Sequence, residues 1–282
     1  MIGNQSVTVI QQAANCTYAL STTQASGSAS AFAGSVQLTT PSGCSWSAVS
    51  NSPWIAVTNG SGTGSAMISY SVASNTTNSA RYGSISVAGS ATLSVTQAGP
   101  LGQTITFGPL SNRALGTPPF TVSAMASSGL PVSFEAVIEG GLRSRTVCKV
   151  SGATVTLVAA GQCAIEATQA GNVDYLAAAP VDQSFQVTQG SQTIDFAPLS
   201  NQRLATQPLL ISATASSGLG VSFASTTETV CTVTSRSFRG ELQTVNYVTL
   251  MEVGQCTIQA SQAGNANYLR ATPVAQSFQV TP

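Results

Sequence analysis

Most of what this chain can fold into is constrained by an internal duplication spanning residues 103–189 and 192–282. QTITFGPLSN at Gln103 returns as QTIDFAPLSN at Gln192, and ASSGLPVSF at Ala126 returns as ASSGLGVSF at Ala215. GQCAIEATQAGNVDYL at Gly161 returns as GQCTIQASQAGNANYL at Gly254, and QSFQVT closes both copies at Gln183 and Gln276. A tandem unit of about ninety residues with its own start and finish is a module strung on a longer polypeptide. Arrays of this kind serve as spacers, adhesins or binding strings far more often than as enzymes.

Within and before the repeats, apolar residues alternate with hydroxyl residues. Ser84-Ile85-Ser86-Val87, Thr92-Leu93-Ser94-Val95-Thr96 and Ser184-Phe185-Gln186-Val187-Thr188 all follow a period of two. Turn signals such as Pro41-Ser42-Gly43, Asn59-Gly60 and Ala170-Gly171-Asn172 punctuate them, and no long segment follows a helical period. The expected fold class is all-β: tandem immunoglobulin-like sandwiches of antiparallel strands. Expected modules are 15–99, 103–189 and 192–282, joined by the short linkers Ala98–Gly102 and Gly190-Ser191. Linkers this short restrict swinging. Gly3–Gln12 resembles Gly89–Ala98, so residues 1–14 read as the last strand of a preceding module, with strand character over Gln5–Gln12. A strand without a module seeks a sheet edge. It can dock on its own chain, fray, or add to a neighbouring copy and so propagate fibres.

Charge excludes several functions. Charged residues are 6% of the chain, with net charge zero and one lysine, Lys149. No basic field exists for nucleic acid or an anionic membrane, and no apolar run reaches membrane-spanning length. Histidine is absent, and all nine acidic residues lie at Glu135 or beyond, scattered singly. Triads, His-containing metal sites, calcium cages and paired-carboxylate glycosidase sites are therefore not expected, nor is any cofactor. The chain reads as non-enzymatic.

The six cysteines fall two per module: Cys16 and Cys44, Cys148 and Cys163, Cys231 and Cys256. Without C-x-x-C spacing they read as disulfides, with buried free thiols as the other reading. Disulfides imply an oxidising, extracytoplasmic setting. Met1-Ile2-Gly3-Asn4 has no basic n-region or apolar h-region, so an export signal is expected elsewhere in a longer protein.

Residues 15–99 carry Cys44-Ser45-Trp46, Pro53-Trp54-Ile55, the Gly60–Gly64 turn, Met67–Val72 and Arg81-Tyr82-Gly83-Ser84-Ile85 in order. This order resembles the BACON domain, a bacterial immunoglobulin-like sandwich associated with carbohydrate-active proteins. The resemblance implies binding of glycans or mucin. The two repeats look like bacterial Ig-like repeats of large secreted or surface proteins. In those, a C-x-V…V-T-L…G-x-C-x-I segment forms a hairpin clasped by its cysteines, and Cys148–Cys163 fits without a gap. The third module has ten extra residues between its cysteines, including Ser235–Glu241, and the second has a six-residue insertion around Glu139–Arg145. Insertions of this kind are loops, where binding is added.

Candidate glycan contacts are Trp54, Asn59 and Tyr82, around the Asn59–Gly64 loop, with Tyr82 placed in a turn. Trp46, beside a cysteine in an alternating strand, reads as core. Tyr175 and Tyr268, at equivalent positions after Ala-Gly-Asn, read as corner packing. The arginines at 143, 145, 236 and 239 and Lys149 read as solvated surface. The expected function is an extracellular or cell-surface spacer or adhesive stalk. The alternatives are glycan binding by the first module, or accessory domains of a secreted hydrolase.

Overall fold

The structure is a computed structural model that describes residues 15–138, 142–143, 147–205, 208–237 and 244–282. Regular structure among the described residues is entirely strand, with no helix. The strand expected at Gln5–Gln12 and the residues Glu139, Arg145, Arg239 and Glu241 lie outside the described residues. By contact density the chain divides into two compact units. The first contains residues up to Thr106 together with Met125–Val132 and Thr168–Pro180; the second contains Phe107–Ala124, Ser133–Ala167 and Val181–Pro282.

Residues 19–97 of the first unit form two sheets. One runs Ala19–Leu20, Phe32–Thr39, Ala66–Val72, Ile55–Val57 in spatial order. The other runs Gln24–Gly27, Ala91–Gln97, Arg81–Val87, Ser45–Ser50, Ser61–Thr63. Period-two alternation sends Val36, Leu38 and Ile68 of one sheet and Ile85, Leu93 and Val95 of the other into one core. Each such side chain contributes about 1.5–3 kcal/mol when fully buried. Trp46 lies in this core with its indole N–H donating to the Gly64 carbonyl at 2.8 Å, so its one polar group is paired. Gly62 is required beneath it, since a Cβ there would stand 2.6 Å from the ring.

The second unit holds the two sandwich bodies of the repeats. The third module pairs a four-stranded sheet (Gln202–Arg203, Val274–Thr281, Gly254–Ser261, Ser222–Ser225) with a three-stranded one (Leu209–Ile211, Thr244–Leu250, Cys231–Ser237). The corresponding pair in the preceding repeat is a five-stranded sheet (Arg113–Ala114, Val181–Thr188, Gly161–Thr168, Ser133–Ile138, Leu142–Arg143) and a three-stranded one (Phe120–Thr121, Thr154–Leu157, Cys148–Ser151). Phe185 on its closing strand meets Phe120 edge-on at 5.8 Å.

Each pair of cysteines is a disulfide: Cys16–Cys44, Cys148–Cys163 and Cys231–Cys256. In the repeats the bond does not clasp a hairpin, as the resemblance implied. Cys148 pairs in register with Leu157 across the hairpin, whereas Cys163 sits on the next strand, in the facing sheet. The disulfide staples sheet to sheet. The insertion of the third module lengthens the equivalent hairpin, which runs in register from Cys231↔Leu250 to Ser237↔Thr244.

The sheets are not wholly antiparallel. Gln24–Gly27 runs parallel to the last strand of its module, and so do Arg113–Ala114 and Arg203 with its neighbour Gln202. In the first module the opening segment pairs antiparallel with one sheet at Ala19–Leu20 and then changes sheets without reversing direction. A strand that switches sheets in mid-course meets the closing strand of the other sheet in parallel.

Repeated sequence corresponds to repeated polar clamps. Gln192 donates to Gln262 Oε1 at 2.8 Å and to Leu269 O at 2.7 Å, and its own carbonyl accepts from the Ser217 hydroxyl. Gln103 makes the same bonds to Gln169, Leu176 and Ser128 in the first unit. Asn112 and Asn201 each accept the backbone N–H of the closing strand, from Gln186 and Gln279. QTI, SSGL, QAGN and QSFQVT recur because each supplies a partner to these bonds. Gln103 and Gln192 are buried, and an unpaired buried amide costs about 1–3 kcal/mol.

Candidate functional site

The outer face of the five-stranded sheet is where alternation places hydroxyls. Register aligns Tyr82 with Thr96 and Ser84 with Ser94. Gln24 and Ser26 extend those rows on the adjoining strand, opposite Ser94 and Thr96. On the other side Asn51 donates its amide to Ser84 Oγ at 3.1 Å and Ser86 Oγ at 2.8 Å. A depression of about 430 Å³ is lined by Gln24, Ser26, Ser94 and Thr96 with Ala25. Tyr82, 76% exposed, stands beside these rows as a free aromatic. It lies on the strand Arg81–Val87, not in a turn. The face is a neutral lattice of hydroxyl and amide groups with one aromatic plane. Such a lattice can hydrogen-bond a polyhydroxylated ligand and stack one ring, but it holds no acid or base.

Trp54 and Tyr82 do not form a common platform. Trp54 is half-buried against the core, beside Gly83, where an added Cβ would stand 2.7 Å from the indole. Gly83 and Tyr82 are successive residues of one strand, so their outward directions are opposite. The Arg81 guanidinium lies 4.3 Å from the centroid of the Trp54 ring and donates through Nε to Gln97 Oε1 at 2.9 Å. Gln97 is fully buried, and its amide donates to the carbonyls of Ala29 and Ser30 at 3.1 and 2.9 Å. Trp54 thus caps a satisfied polar network at one end of the sandwich.

Asn59 is committed to the other sheet. Its carbonyl oxygen accepts the Ser69 N–H at 2.7 Å and its amide donates to Met67 O. Both functional groups of the side chain are used by the strand Ala66–Val72, so Asn59 fixes an edge. Of the three sequence candidates, the structure leaves Tyr82 free. The hydroxyl rows beside it were visible as alternation, but which strands stand side by side was not.

Lys149 is exposed, as is Arg236, while Tyr175 and Tyr268 are half-buried. The turn before each tyrosine needs glycine: Gly171 and Gly264 have φ of +75° and +80° and closely approach the tyrosine carbonyls. A second concavity, of about 730 Å³, lies in the third module and is lined by Ser212, Thr214, Ser222, Phe223, Ser235 and Asn246 among others, with no ionisable side chain. Among the described residues no three His, Cys, Asp or Glu side chains cluster as a metal site would require. Burial raises the phenol of Tyr70 above its ordinary value.

A family profile, BACON, described as "Putative binding domain, N-terminal", matches residues 45–98. No curated protein matches the chain. Among solved structures, the Bacteroides ovatus GH5 xyloglucanase in complex with a XXXG heptasaccharide is 17% identical, with a TM-score of 0.27. That match covers 29% of this chain and 19% of the xyloglucanase chain, so the sequence spans less than a fifth of that protein. The I-band fragment I67-I69 from titin is 10% identical over 96% of this chain and 100% of its own, with a TM-score of 0.38. The S-layer protein rSbsC(31-844) is 14% identical over 84% of this chain and 35% of its own, with a TM-score of 0.30. Superpositions of that quality carry nothing about ligand or activity.

Proposed function

We propose that this chain is a non-enzymatic, multi-module segment of a bacterial extracellular or cell-surface protein, acting as a spacer or adhesive stalk built from modules 15–99, 103–189 and 192–282. The observation that carries the reading is the recurrence of one disulfide per module, stapling facing sheets of both repeats. A staple across a sandwich stabilises it by about 3 kcal/mol and keeps the enclosed loop from extending under tension. It also fits an oxidising compartment. With no histidine and singly scattered carboxylates, the sequence offers no activated nucleophile and no acid–base pair. Force spectroscopy on the full chain, pulled from its ends, tests the reading. Discrete unfolding events that release more length after reduction are expected. Extension without force peaks under oxidising conditions would rule out a load-bearing stalk.

A second reading is supported by the exposed Tyr82 beside the neutral hydroxyl rows: the first module contacts glycans there. Its charge-free lattice suits neutral sugars better than sulfated or sialylated ones. Glycan-array binding by the full chain, lost in Tyr82→Ala and retained in Asn59→Ser, is the expected pattern. Binding that survives Tyr82→Ala assigns the ligand to another face.

A further inference from the structure

The Gly-Asn-x-[Asp/Asn]-Tyr-Leu turn occurs once in each repeat, at Gly171 and at Gly264. Asn172 Oδ1 accepts the N–H groups of Asp174 and Tyr175, and Asn265 Oδ1 accepts those of Asn267 and Tyr268. The fourth residue of each turn then reaches a loop belonging to the preceding module. Inside the first unit, Asp174 accepts the Ser30 N–H at 3.1 Å and the Ser30 hydroxyl at 2.8 Å. Inside the second unit, Asn267 Oδ1 accepts the Ala160 N–H at 2.9 Å.

The linker clamps the same turn from its other side. Leu101 N–H donates to Asp174 O at 2.7 Å, and Leu176 N–H to Leu101 O at 2.8 Å. Gly190 N–H donates to Asn267 O at 2.9 Å, and Leu269 N–H to Gly190 O at 2.9 Å. The two junctions share one chemistry: an Asx oxygen on a backbone N–H just before a strand, with the linker zipped along the turn.

The seat that receives Asn267 has a counterpart in the third module. Val158 and Ala159 donate to Val147 O, leaving Ala160 N–H for Asn267. Met251 and Glu252 donate to Val230 O in the same way. The Val253 N–H, the counterpart of Ala160, has no partner among the described residues. Gly161 and Gly254, the next residues, share a positive φ and lie against Val147 and Val230 respectively. Met251 and Val253 are 55% and 52% exposed around this free donor.

We infer that the Met251–Val253 loop is a vacant docking seat for a further β-sandwich module joined after the third, one that presents an Asn or Asp oxygen from a Gly-Asn-x-[Asp/Asn]-Tyr-Leu turn. The two turns of this chain are already engaged, so a second free copy has none to offer. The occupant is a module of the repeat type, in line. The inference is independent of whether the array bears load.

The test extends the chain by one repeat, following residues 1–281 directly with a second copy of 189–282, and reads amide hydrogen exchange. Exchange at Val253 should slow at least about tenfold relative to the parent chain, and replacing the added copy's Asn at position 267 by Ala should restore it. In the parent chain, Asn267→Ala should speed exchange at Ala160, whereas Asn267→Asp, the residue found at Asp174, should retain protection. Val253 exchange unchanged in the extended chain overturns the seat. Ala160 exchange unchanged in Asn267→Ala overturns the latch itself. Force spectroscopy does not enter either outcome, so failure here is separable from failure of the stalk reading.

Discussion

Arg81 holds its guanidinium 4.3 Å from the centroid of the Trp54 ring, on the inward side of the strand whose outward side carries Tyr82. One dipeptide thus separates two jobs, end-capping of a core and presentation of an aromatic to solvent. Truncation of Trp54 removes contacts with the core and with Arg81, together worth about 2–4 kcal/mol. Truncation of Tyr82 should change stability by less than about 0.5 kcal/mol. Urea unfolding of the two alanine variants checks the division. A Trp54→Ala protein as stable as the parent contradicts it.

Gly83 admits no side chain. A Cβ would stand 2.5 Å from Ser52 Oγ, 2.7 Å from the Trp54 ring and 2.8 Å from Ile55 Cδ1. Gly83→Ala should therefore destabilise the first module by about 1–3 kcal/mol through overpacking. Gly102→Ala, where nothing lies within 4 Å, is the matched control and should be near neutral. Equal midpoints for the two variants in a thermal melt would count against the packing described around Trp54.

The glutamine clamp gives a prediction for each repeat. Gln192→Leu strands the Ser217 hydroxyl and the Leu269 carbonyl and should cost about 1–3 kcal/mol. Gln103→Leu should do the same through Ser128 and Leu176. Adding Ser217→Ala to Gln192→Leu should recover part of the loss, because one stranded donor disappears. A double-mutant cycle showing strict additivity would mean that the two side chains are energetically independent.

Replacing Cys148 and Cys163 by Ala should lower stability by about 3 kcal/mol, and replacing Cys231 and Cys256 by slightly more. The ordering follows from the sequence separations of 15 and 25, since the longer loop loses more freedom when closed. Denaturant midpoints of the two double variants, measured without reductant, are the comparison.

Alkaline pH should weaken the first module through Tyr70. Burial raises its phenol in the folded state, so the folded chain keeps a proton that the unfolded chain releases. The contribution is fully present below about pH 10, the unfolded value, and is lost as pH climbs toward the raised folded value. Tyr70→Phe should flatten that part of the alkaline loss in a pH series of urea melts. An unchanged slope would exclude Tyr70 as its source.

Local chemistry was legible in the residues themselves. Period two specified strands and their inward faces, so Ile85, Leu93 and Val95 went to the core, Trp46 was read as buried and Lys149 as exposed. The spacing of the cysteines gave one pair per module, and the duplication gave equivalent positions such as Gln103 and Gln192. Tertiary structure alone decided what depends on strand order, because alternation says which way a side chain points and not which strand stands beside it. It placed Trp54 behind the strand that presents Tyr82, tied Asn59 to Met67 and Ser69 of the opposite sheet, and turned the expected hairpin clasps into staples between sheets. It also set the opening strands parallel to the closing ones and brought Asp174 to Ser30, residues far apart in sequence with no shared local pattern. Hydrogen bonds between distant segments leave no periodic trace, and they appear only once the chain has chosen its neighbours.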